Sequence, residues 1–286
     1  MHSDGYVKSY DGLELYLVKD VPDSLKGIVV IVHGFAEHLG RYDYITKRLN
    51  DKGYGVYRFD NRGHGKTKGE KGHIEKFEEF LYDTDTIVDL AKKENPDVPI
   101  YMLGHSMGGF ITASYGVKYR DKLKGQILSA AATSISPQVK GIKGNIFKII
   151  NKVAPKIRIK NPITTALCKN PEVVEKYLKD PLNLKDATLN FYVEFLIRGV
   201  NWLNENMDKY SYPCLILHGS EDKIVFKEAS ENFYDKISSK DKKLIIYDGL
   251  YHEIMNEITR DQVIDDICNW LENRLLNNNI GQNERK

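Results

Sequence analysis

The sequence predicts an α/β protein built on a mainly parallel, doubly wound sheet. Short, nearly continuous Val/Ile/Leu runs are typical of strands buried on both faces, and they alternate with stretches whose apolar residues recur every three or four positions. With 286 residues and 41% hydrophobic composition, the chain can bury a sizeable core. The predicted strands are 27–33, 54–60, 99–104, 124–130, 213–219 and 243–248, and the predicted helices are 41–52, 77–94, 106–119, 227–237 and 261–276.

Three regions depart from this alternation. Residues 6–9 and 13–18 flank an Asp-Gly turn and predict an antiparallel hairpin at the sheet edge. Residues 136–207 are helical in pattern, show no clear strand and are divided by prolines, so we expect a helical cap inserted between two parts of the core, 1–135 and 208–277. Residues 278–286 are polar and aperiodic, which predicts a disordered tail.

Composition excludes several function classes. Lys+Arg is 42 and Asp+Glu is 40, so the chain lacks the strongly basic balance of a nucleic-acid-binding protein. No signal-peptide pattern and no apolar run of about 18 residues is present, and we expect a cytoplasmic protein. Cys168, Cys214 and Cys268 are scattered and predict buried reduced thiols rather than disulfides or a metal site. We therefore expect no metal and no organic cofactor.

Residues 104–108, GHSMG, match G-x-S-x-G between a predicted strand and a predicted helix, the context that this motif requires. A sharp strand–turn–helix bend places the serine on strained backbone and leaves no room for side chains two residues on either side. The helix N-terminus beside it offers free N–H groups to negative charge. Ser106 is therefore the predicted nucleophile of an α/β-hydrolase fold.

A serine hydroxyl needs a base to take its proton, and the base needs a partner that fixes its tautomer. In this fold the chain order is serine, acid, histidine, and the order selects Asp222 and His252, each just past a predicted strand. The neighbouring carboxylates Glu221 and Asp248 remain alternative acids. The other histidine after Ser106, at position 218, is assigned a structural role.

Acyl transfer builds negative charge on the carbonyl oxygen, which backbone N–H donors stabilise. One predicted donor is Met107, the residue after the nucleophile. The other is expected from the loop after strand 27–33, with Phe35 as first choice and Ala36 as the alternative.

Together these segments resemble the monoacylglycerol lipases and the lysophospholipases related to them, over about residues 10–275. The similar segments are 33–42 (H-G-x-x-E-H-x-x-R-Y), 60–65 (D-x-x-G-H-G), 104–109 (G-H-S-M-G-G), 218–222 (H-G-x-x-D) and 252–257 (H-E-x-x-N-E). The resemblance implies that Glu37 and Arg41 shape the pocket for the glycerol end, although a salt bridge that holds the loop is the alternative. Some members of the family carry a glycerol-contacting histidine where this chain has Met255, and a small residue where it has Phe35.

Residues 136–170 contain eight Lys/Arg and no Asp or Glu. Within residues 141–157, the side chains of Ile142, Ile146, Phe147, Ile149, Ile150 and Val153 lie on or near one helical side, with lysines largely on the others. A basic amphipathic helix is typical of peripheral membrane contact. The alternative is a cap helix that packs its apolar side on its own domain.

The sequence thus predicts a serine carboxylic ester hydrolase that releases a fatty acid from medium- or long-chain monoacylglycerol or lysophospholipid through an acyl-enzyme. Its partner is the lipid ester, and the oligomeric state stays open. One alternative is a carboxylesterase for soluble aryl, feruloyl or short-chain esters, and another is an acyltransferase. A non-catalytic binding module on the same fold is disfavoured by the complete set of motifs.

Overall fold

The computed structural model describes residues 1–134, 141–161 and 166–283. Its strands are β1 (His2–Lys8), β2 (Glu14–Asp20), β3 (Gly27–Val32), β4 (Tyr54–Phe59), β5 (Ile100–His105), β6 (Gly125–Ser129), β7 (Arg158–Lys160), β8 (Asp186–Thr188), β9 (Cys214–Gly219) and β10 (Lys242–Tyr247). Its helices are α1 (Asp43–Asp51), α2 (Glu78–Glu94), α3 (Met107–Lys118), α4 (Ile142–Val153), α5 (Pro171–Lys179), α6 (Leu189–Tyr192), α7 (Val200–Asn206), α8 (Glu228–Lys236) and α9 (Arg260–Asn283). Short 3₁₀ turns cover Leu39–Tyr42, Met207–Lys209 and Ile254–Asn256, and a π-helical segment, Val193–Gly199, joins α6 to α7.

Eight strands form one sheet in the order β1-β2-β4-β3-β5-β6-β9-β10. The pairs β1–β2 and β2–β4 are antiparallel, which confirms the predicted edge hairpin. All other neighbours in this sheet are parallel. The carboxyl ends of the parallel strands therefore meet at one edge, where α/β sheets place their sites.

Both faces of the sheet are covered, as the apolar runs predict. In β3, Val30 and Val32 point into a core shared with α2, α3 and α8, whereas Val29 and Ile31 point into a second core shared with α1 and α9. Alternate residues of a strand face opposite sides, so a run that is apolar throughout satisfies both cores. The doubly wound architecture is confirmed.

The chain between β6 and β9 departs from the prediction. We expected helices without strands there, but β7 and β8 pair antiparallel through Arg158–Thr188, Ile159–Ala187 and Lys160–Asp186. Three-residue strands are too short to produce a period-two pattern, so no sequence signal indicates them. The other regular elements described in this segment are helices, and residues 135–140 and 162–165 lie outside the described residues.

The C-terminal helix also differs from expectation. α9 continues to Asn283, into the segment predicted to be a disordered tail, and residues 284–286 lie outside the described residues. No proline interrupts this stretch, and each added residue extends an existing helix at little cost. At the other end of the core, predicted helix 41–52 begins as the 3₁₀ turn Leu39–Tyr42 and continues as α1.

The three cysteines are free and buried, as expected. Across the described ranges, no helix is both long and apolar enough to cross a bilayer. In the same ranges, no group of three or more His, Cys, Asp or Glu side chains is arranged to hold a metal ion.

Candidate active site

Ser106 occupies the turn between β5 and α3 with φ 54° and ψ −115°, a backbone conformation that residues other than glycine rarely adopt. The turn is possible because its flanking positions are glycines. A Cβ on Gly104 would lie 2.2 Å from the backbone oxygen of Gly108, and one on Gly108 would lie 2.0 Å from the backbone oxygen of Val32. Such strain persists only where the surroundings enforce it, and it commonly marks a functional residue.

His252, in the loop after β10, contacts Asp222, in the loop after β9. Its Nδ1 lies 2.6 Å from Asp222 Oδ2. Because a carboxylate can only accept, Nδ1 carries the proton and Nε2 keeps a lone pair. His252 Nε2 is buried and has no hydrogen-bond partner among the described residues, so the ring is set up to accept a proton on that side.

The Asp222 carboxylate is held on both oxygens. Oδ1 accepts the backbone N–H groups of Ile224 at 2.8 Å and Val225 at 3.0 Å. His218 Nε2 lies 3.1 Å from Oδ2, the oxygen that also contacts His252. His218, for which the sequence predicts a structural role, therefore contacts the Asp222–His252 pair. No sequence signal separated it from a core histidine.

Burial and charge act in opposite directions on this pair. Burial would lower the pKa of His252, but the charge and hydrogen bond of Asp222 raise it above the ordinary 6.5. Burial would raise the pKa of Asp222, but His252 and the hydrogen bonds from His218 and His252 hold it well below its usual range. For His105, whose ring centroid is 4.7 Å from that of His252, burial lowers the pKa to about 4. Near neutral pH, Asp222 is therefore charged and His105 is neutral.

Ser106 Oγ and His252 Nε2 are not within hydrogen-bonding geometry of each other among the described residues. The closest recorded link between the two segments is the contact of the His105 ring, one residue before Ser106 in the chain, with the His252 ring at 4.7 Å between centroids. Such hydrogen bonds are often long before substrate is bound.

The loop after β3 lies against Ser106. A Cβ on Gly34 would be 3.3 Å from Ser106 Cβ, so the chain passes the serine at van der Waals distance. The backbone N–H groups of Phe35 and Met107 have no acceptor within the described part of the chain, consistent with donors that await an oxyanion. Ala36, the alternative donor, has φ 60°, which shows how sharply this loop turns.

The same loop is fixed by a buried cluster of charges. Glu37 Oε1 accepts the Gly34 N–H at 2.6 Å and the Tyr42 hydroxyl at 2.7 Å, and its Oε2 accepts Arg41 Nη1 at 2.7 Å. Arg41 also binds both oxygens of Glu253, at 2.5 Å and 2.7 Å. The oxygens of Glu37 are therefore occupied, and these contacts match the loop-holding alternative better than direct glycerol contact. Glu253 belongs to the H-E-x-x-N-E segment, but the sequence alone assigns it no role.

This fold, with a strained serine at the end of a central parallel strand, defines the class of α/β hydrolases. The family model described as "Serine aminopeptidase, S33" matches residues 23–259, and the chain belongs to that family.

Known members of this class resemble the chain along most of its length. Monoacylglycerol lipase of Mycolicibacterium smegmatis is 34% identical over 250 residues, which is 87% of this chain and 89% of the relative. The crystal structure of Paleococcus ferrophilus monoacylglycerol lipase aligns with a TM-score of 0.82 at 30% identity, over 91% of this chain and 99% of the other. A soluble variant of monoglyceride lipase from Saccharomyces cerevisiae, solved with a substrate analog, aligns with a TM-score of 0.86 at 25% identity, over 96% of each chain. The resemblance to monoacylglycerol lipases inferred from the motifs is confirmed.

Proposed function

We propose that the protein is a serine carboxylic ester hydrolase that cleaves medium- or long-chain monoacylglycerol, or lysophospholipid, to a fatty acid and an alcohol. The observation that carries the proposal is the His252 imidazole. Its Nδ1 is bound to Asp222 at 2.6 Å, and its buried Nε2 has no partner in the described ranges. A base oriented in this way beside a strained serine is what acyl transfer requires.

In the proposed reaction, Ser106 Oγ attacks the ester carbonyl carbon while His252 Nε2 takes the hydroxyl proton. The N–H groups of Phe35 and Met107 bind the oxygen that becomes negative, and losing one such donor costs about 3 kcal/mol of transition-state stabilisation. Asp222 stabilises the imidazolium. Collapse of the tetrahedral intermediate breaks the bond to the leaving alcohol, which receives the proton from His252. The acyl group remains on Ser106 as an ester. Water then attacks this ester by the same route and releases the fatty acid.

The lipid class of substrate is supported by the relatives named above and by the apolar surface beside the oxyanion loop. The Phe35 ring lies 5.2 Å from the Phe191 ring and 5.5 Å from the Tyr192 ring, centroid to centroid. Phe35 is 9% exposed, so its loop is covered by apolar side chains from α6. An acyl chain bound against side chains of this kind would be removed from water, at about 0.8 kcal/mol for each buried methylene.

The family description names an aminopeptidase, which must bind a substrate α-ammonium group with a free carboxylate. Of the buried carboxylates near the candidate site, Glu37 and Glu253 are both bound to Arg41, and Glu257 accepts the backbone N–H groups of Lys169 and Tyr251. This arrangement supports the ester over the peptide as substrate. Hydrolysis of an aminoacyl anilide would count against the proposal.

We further propose that residues 136–207 cap the site. Three contacts between this segment and the two site loops support a cap: Leu167 O with Glu253 N at 2.7 Å, Asp180 with His38 at 2.9 Å, and Phe191 with Phe35. The region around these contacts is therefore tied to the catalytic loops. Helix α4 has no such tie in the described residues and packs on the π-helical segment and α6.

Peripheral membrane contact through α4 is also a proposal, and the exposed apolar stripe supports it. Ile146, Ile149, Ile150 and Val153 are exposed by 50%, 63%, 41% and 83%, at spacings of three and four that form one stripe. Phe147, which the sequence groups with these residues, packs inward against Leu189, Val193 and Ile197 and is not part of the exposed stripe. Of the nearby lysines, Lys156 pairs with Glu70 at 2.9 Å, which reduces the charge available to anionic lipid.

Two measurements test the proposed function. Ser106→Ala should abolish labelling by a fluorophosphonate, with activity reduced by about 10⁴-fold or more while the protein remains folded. A panel of monoacylglycerols, lysophospholipids, triacylglycerols, feruloyl esters and acetyl esters, ranked by kcat/KM, should favour medium- and long-chain monoacyl lipids. A clear preference for feruloyl or acetyl esters would overturn the lipid assignment, and acyl-glycerol formation with glycerol present would indicate an acyltransferase.

A further inference from the structure

Arg41 lies between the two loops that carry the candidate catalytic groups. On one side it binds Glu37 of the loop after β3, and on the other it binds Glu253, the residue that follows His252. We propose that Arg41 and Glu253 are positioning residues, which set the oxyanion loop and the general base relative to each other. This inference rests on the proposed function and assigns the pair a role other than contact with the substrate's glycerol end.

The oxyanion side of this bridge acts on the backbone. Glu37 Oε1 accepts the Gly34 N–H at 2.6 Å and so fixes the chain one residue before Phe35, a proposed oxyanion donor. A Cβ on Gly34 would lie 2.8 Å from that same oxygen, so the carboxylate approaches closely because position 34 is glycine. Moving the Glu37 carboxylate would therefore move the peptide that donates to the oxyanion.

The other side acts on His252. Glu253 binds Arg41 with both oxygens, and its Oε2 also accepts Asn256 Nδ2 at 3.0 Å. Its backbone N–H donates to Leu167 O at 2.7 Å. With side chain and backbone both fixed, Glu253 leaves little freedom to the histidine that precedes it.

The cluster carries an excess negative charge. Two carboxylates share one guanidinium, and all three side chains are exposed by 10% or less. Burying a charge without an opposite partner costs free energy. A contact that served only to join two loops would not need the second carboxylate. The negative groups that raise the pKa of His252 are Asp222, Glu253 and Glu37, and neutral His105 lies beside its ring. The negative field therefore favours the imidazolium that forms during proton transfer.

Three variants separate geometry from charge. Glu253→Gln keeps the shape and removes the charge, Glu253→Asp keeps the charge and shortens the reach, and Arg41→Lys keeps the charge and loses the two-pronged contact. The matched control is Arg48→Lys, because Arg48 also joins two carboxylates, Asp261 and Asp265, between α1 and α9 away from the site. For each variant, the rate of fluorophosphonate labelling is measured from pH 5 to 9, together with kcat and KM on a short-chain soluble ester.

We expect Glu253→Gln to lower kcat by about 10- to 100-fold with KM nearly constant, because misplaced groups slow the chemical step. The acid limb of its profile of labelling rate against pH should move to lower pH by about one unit, because the variant lacks a negative charge that raises the pKa of His252. Glu253→Asp and Arg41→Lys should lower kcat but keep the wild-type acid limb, and Arg48→Lys should change neither.

Two results would overturn the inference. A raised KM with unchanged kcat in Glu253→Gln or Arg41→Lys would indicate direct substrate contact. An unchanged kcat and acid limb in Glu253→Gln would show that the pair only joins two loops. Labelling that survives in Ser106→Ala is a separate outcome, because it removes the proposed nucleophile and not the bridge.

Discussion

His218 and His252 share one carboxylate oxygen: Asp222 Oδ2 lies 3.1 Å from His218 Nε2 and 2.6 Å from His252 Nδ1. His218 is fully buried, and its Nδ1 lies 2.7 Å from Ser230 Oγ. It stands behind the acid on β9 and so limits the positions that the carboxylate can take.

We therefore predict that His218→Leu slows turnover. His218 does not touch the substrate, so the effect would be transmitted through the position of the Asp222 carboxylate. Loss of a hydrogen bond to a charged group corresponds to about 1.5–3 kcal/mol, or roughly a 10- to 100-fold decrease in kcat. Steady-state kinetics and a thermal melt measure the two effects separately. Ser230→Ala, which removes only the Nδ1 partner, should have a smaller effect, and a full-speed His218→Leu enzyme would exclude this role.

The turn at Ser106 gives a second prediction, on stability. Gly108→Ala places a Cβ 2.0 Å from the backbone oxygen of Val32, where nothing flexible can yield. We expect a loss of about 1–3 kcal/mol in the free energy of unfolding, or failure to fold. Gly5→Ala is the matched control, because a Cβ there meets nothing within 4 Å. Equal unfolding midpoints for the two variants in urea would refute the argument.

How much of this site is visible in the sequence depends on how local each feature is. The Ser106 turn is written in five consecutive residues, and chain order alone pairs Asp222 with His252, which the structure brings into contact. The sheet follows from runs long enough to show a period. Arg41 and Glu253 are 212 positions apart, and no local pattern records that they meet.

The sequence could not predict which side of α4 faces the protein, for a related reason. A helical wheel groups Phe147 with the isoleucines, but which edge of an apolar arc faces the protein depends on what packs there. Leu189, Val193 and Ile197 form that surface, and they lie some forty or more positions further along the chain.

Ile149→Asp and Phe147→Asp should behave differently. Ile149 is 63% exposed, so the aspartate there should weaken binding to vesicles of anionic lipid and leave the melting temperature nearly unchanged. Phe147→Asp places a charge against the apolar cluster and should lower the melting temperature. Vesicle binding should also fall with added salt, because the Debye length is about 8 Å at physiological ionic strength. Undiminished co-sedimentation of Ile149→Asp would remove α4 as the membrane contact.

The buried histidines predict acid sensitivity of the fold. Burial lowers the pKa of His64 from 6.5 to about 3, and its Nε2 has no partner in the described part of the chain. The unfolded chain takes up a proton below pH 6.5 that the folded chain refuses. Stability is therefore lost as pH falls, by about 1.4 kcal/mol per pH unit for one such group.

His64→Phe tests this prediction because its ring can occupy a site already lined by Phe35 and Phe191. The melting temperature of the variant should decline less between pH 7 and pH 5 than that of the unmodified protein, even if it is lower at pH 7. The difference should be about 2–4 °C for each kcal/mol. Parallel curves over this range would show that His64 does not contribute.

The ties between distant segments have a consequence for the order in which the molecule is made. His38 and Asp180 are 142 positions apart, and Arg41 and Glu253 are 212 apart. Contacts that close such long loops form late, after local helices and neighbouring strands. A nascent chain can therefore have formed the serine turn and most of the sheet while Ser106 is still unreactive toward a fluorophosphonate. During refolding, the far-ultraviolet signal should return before reactivity toward a fluorophosphonate.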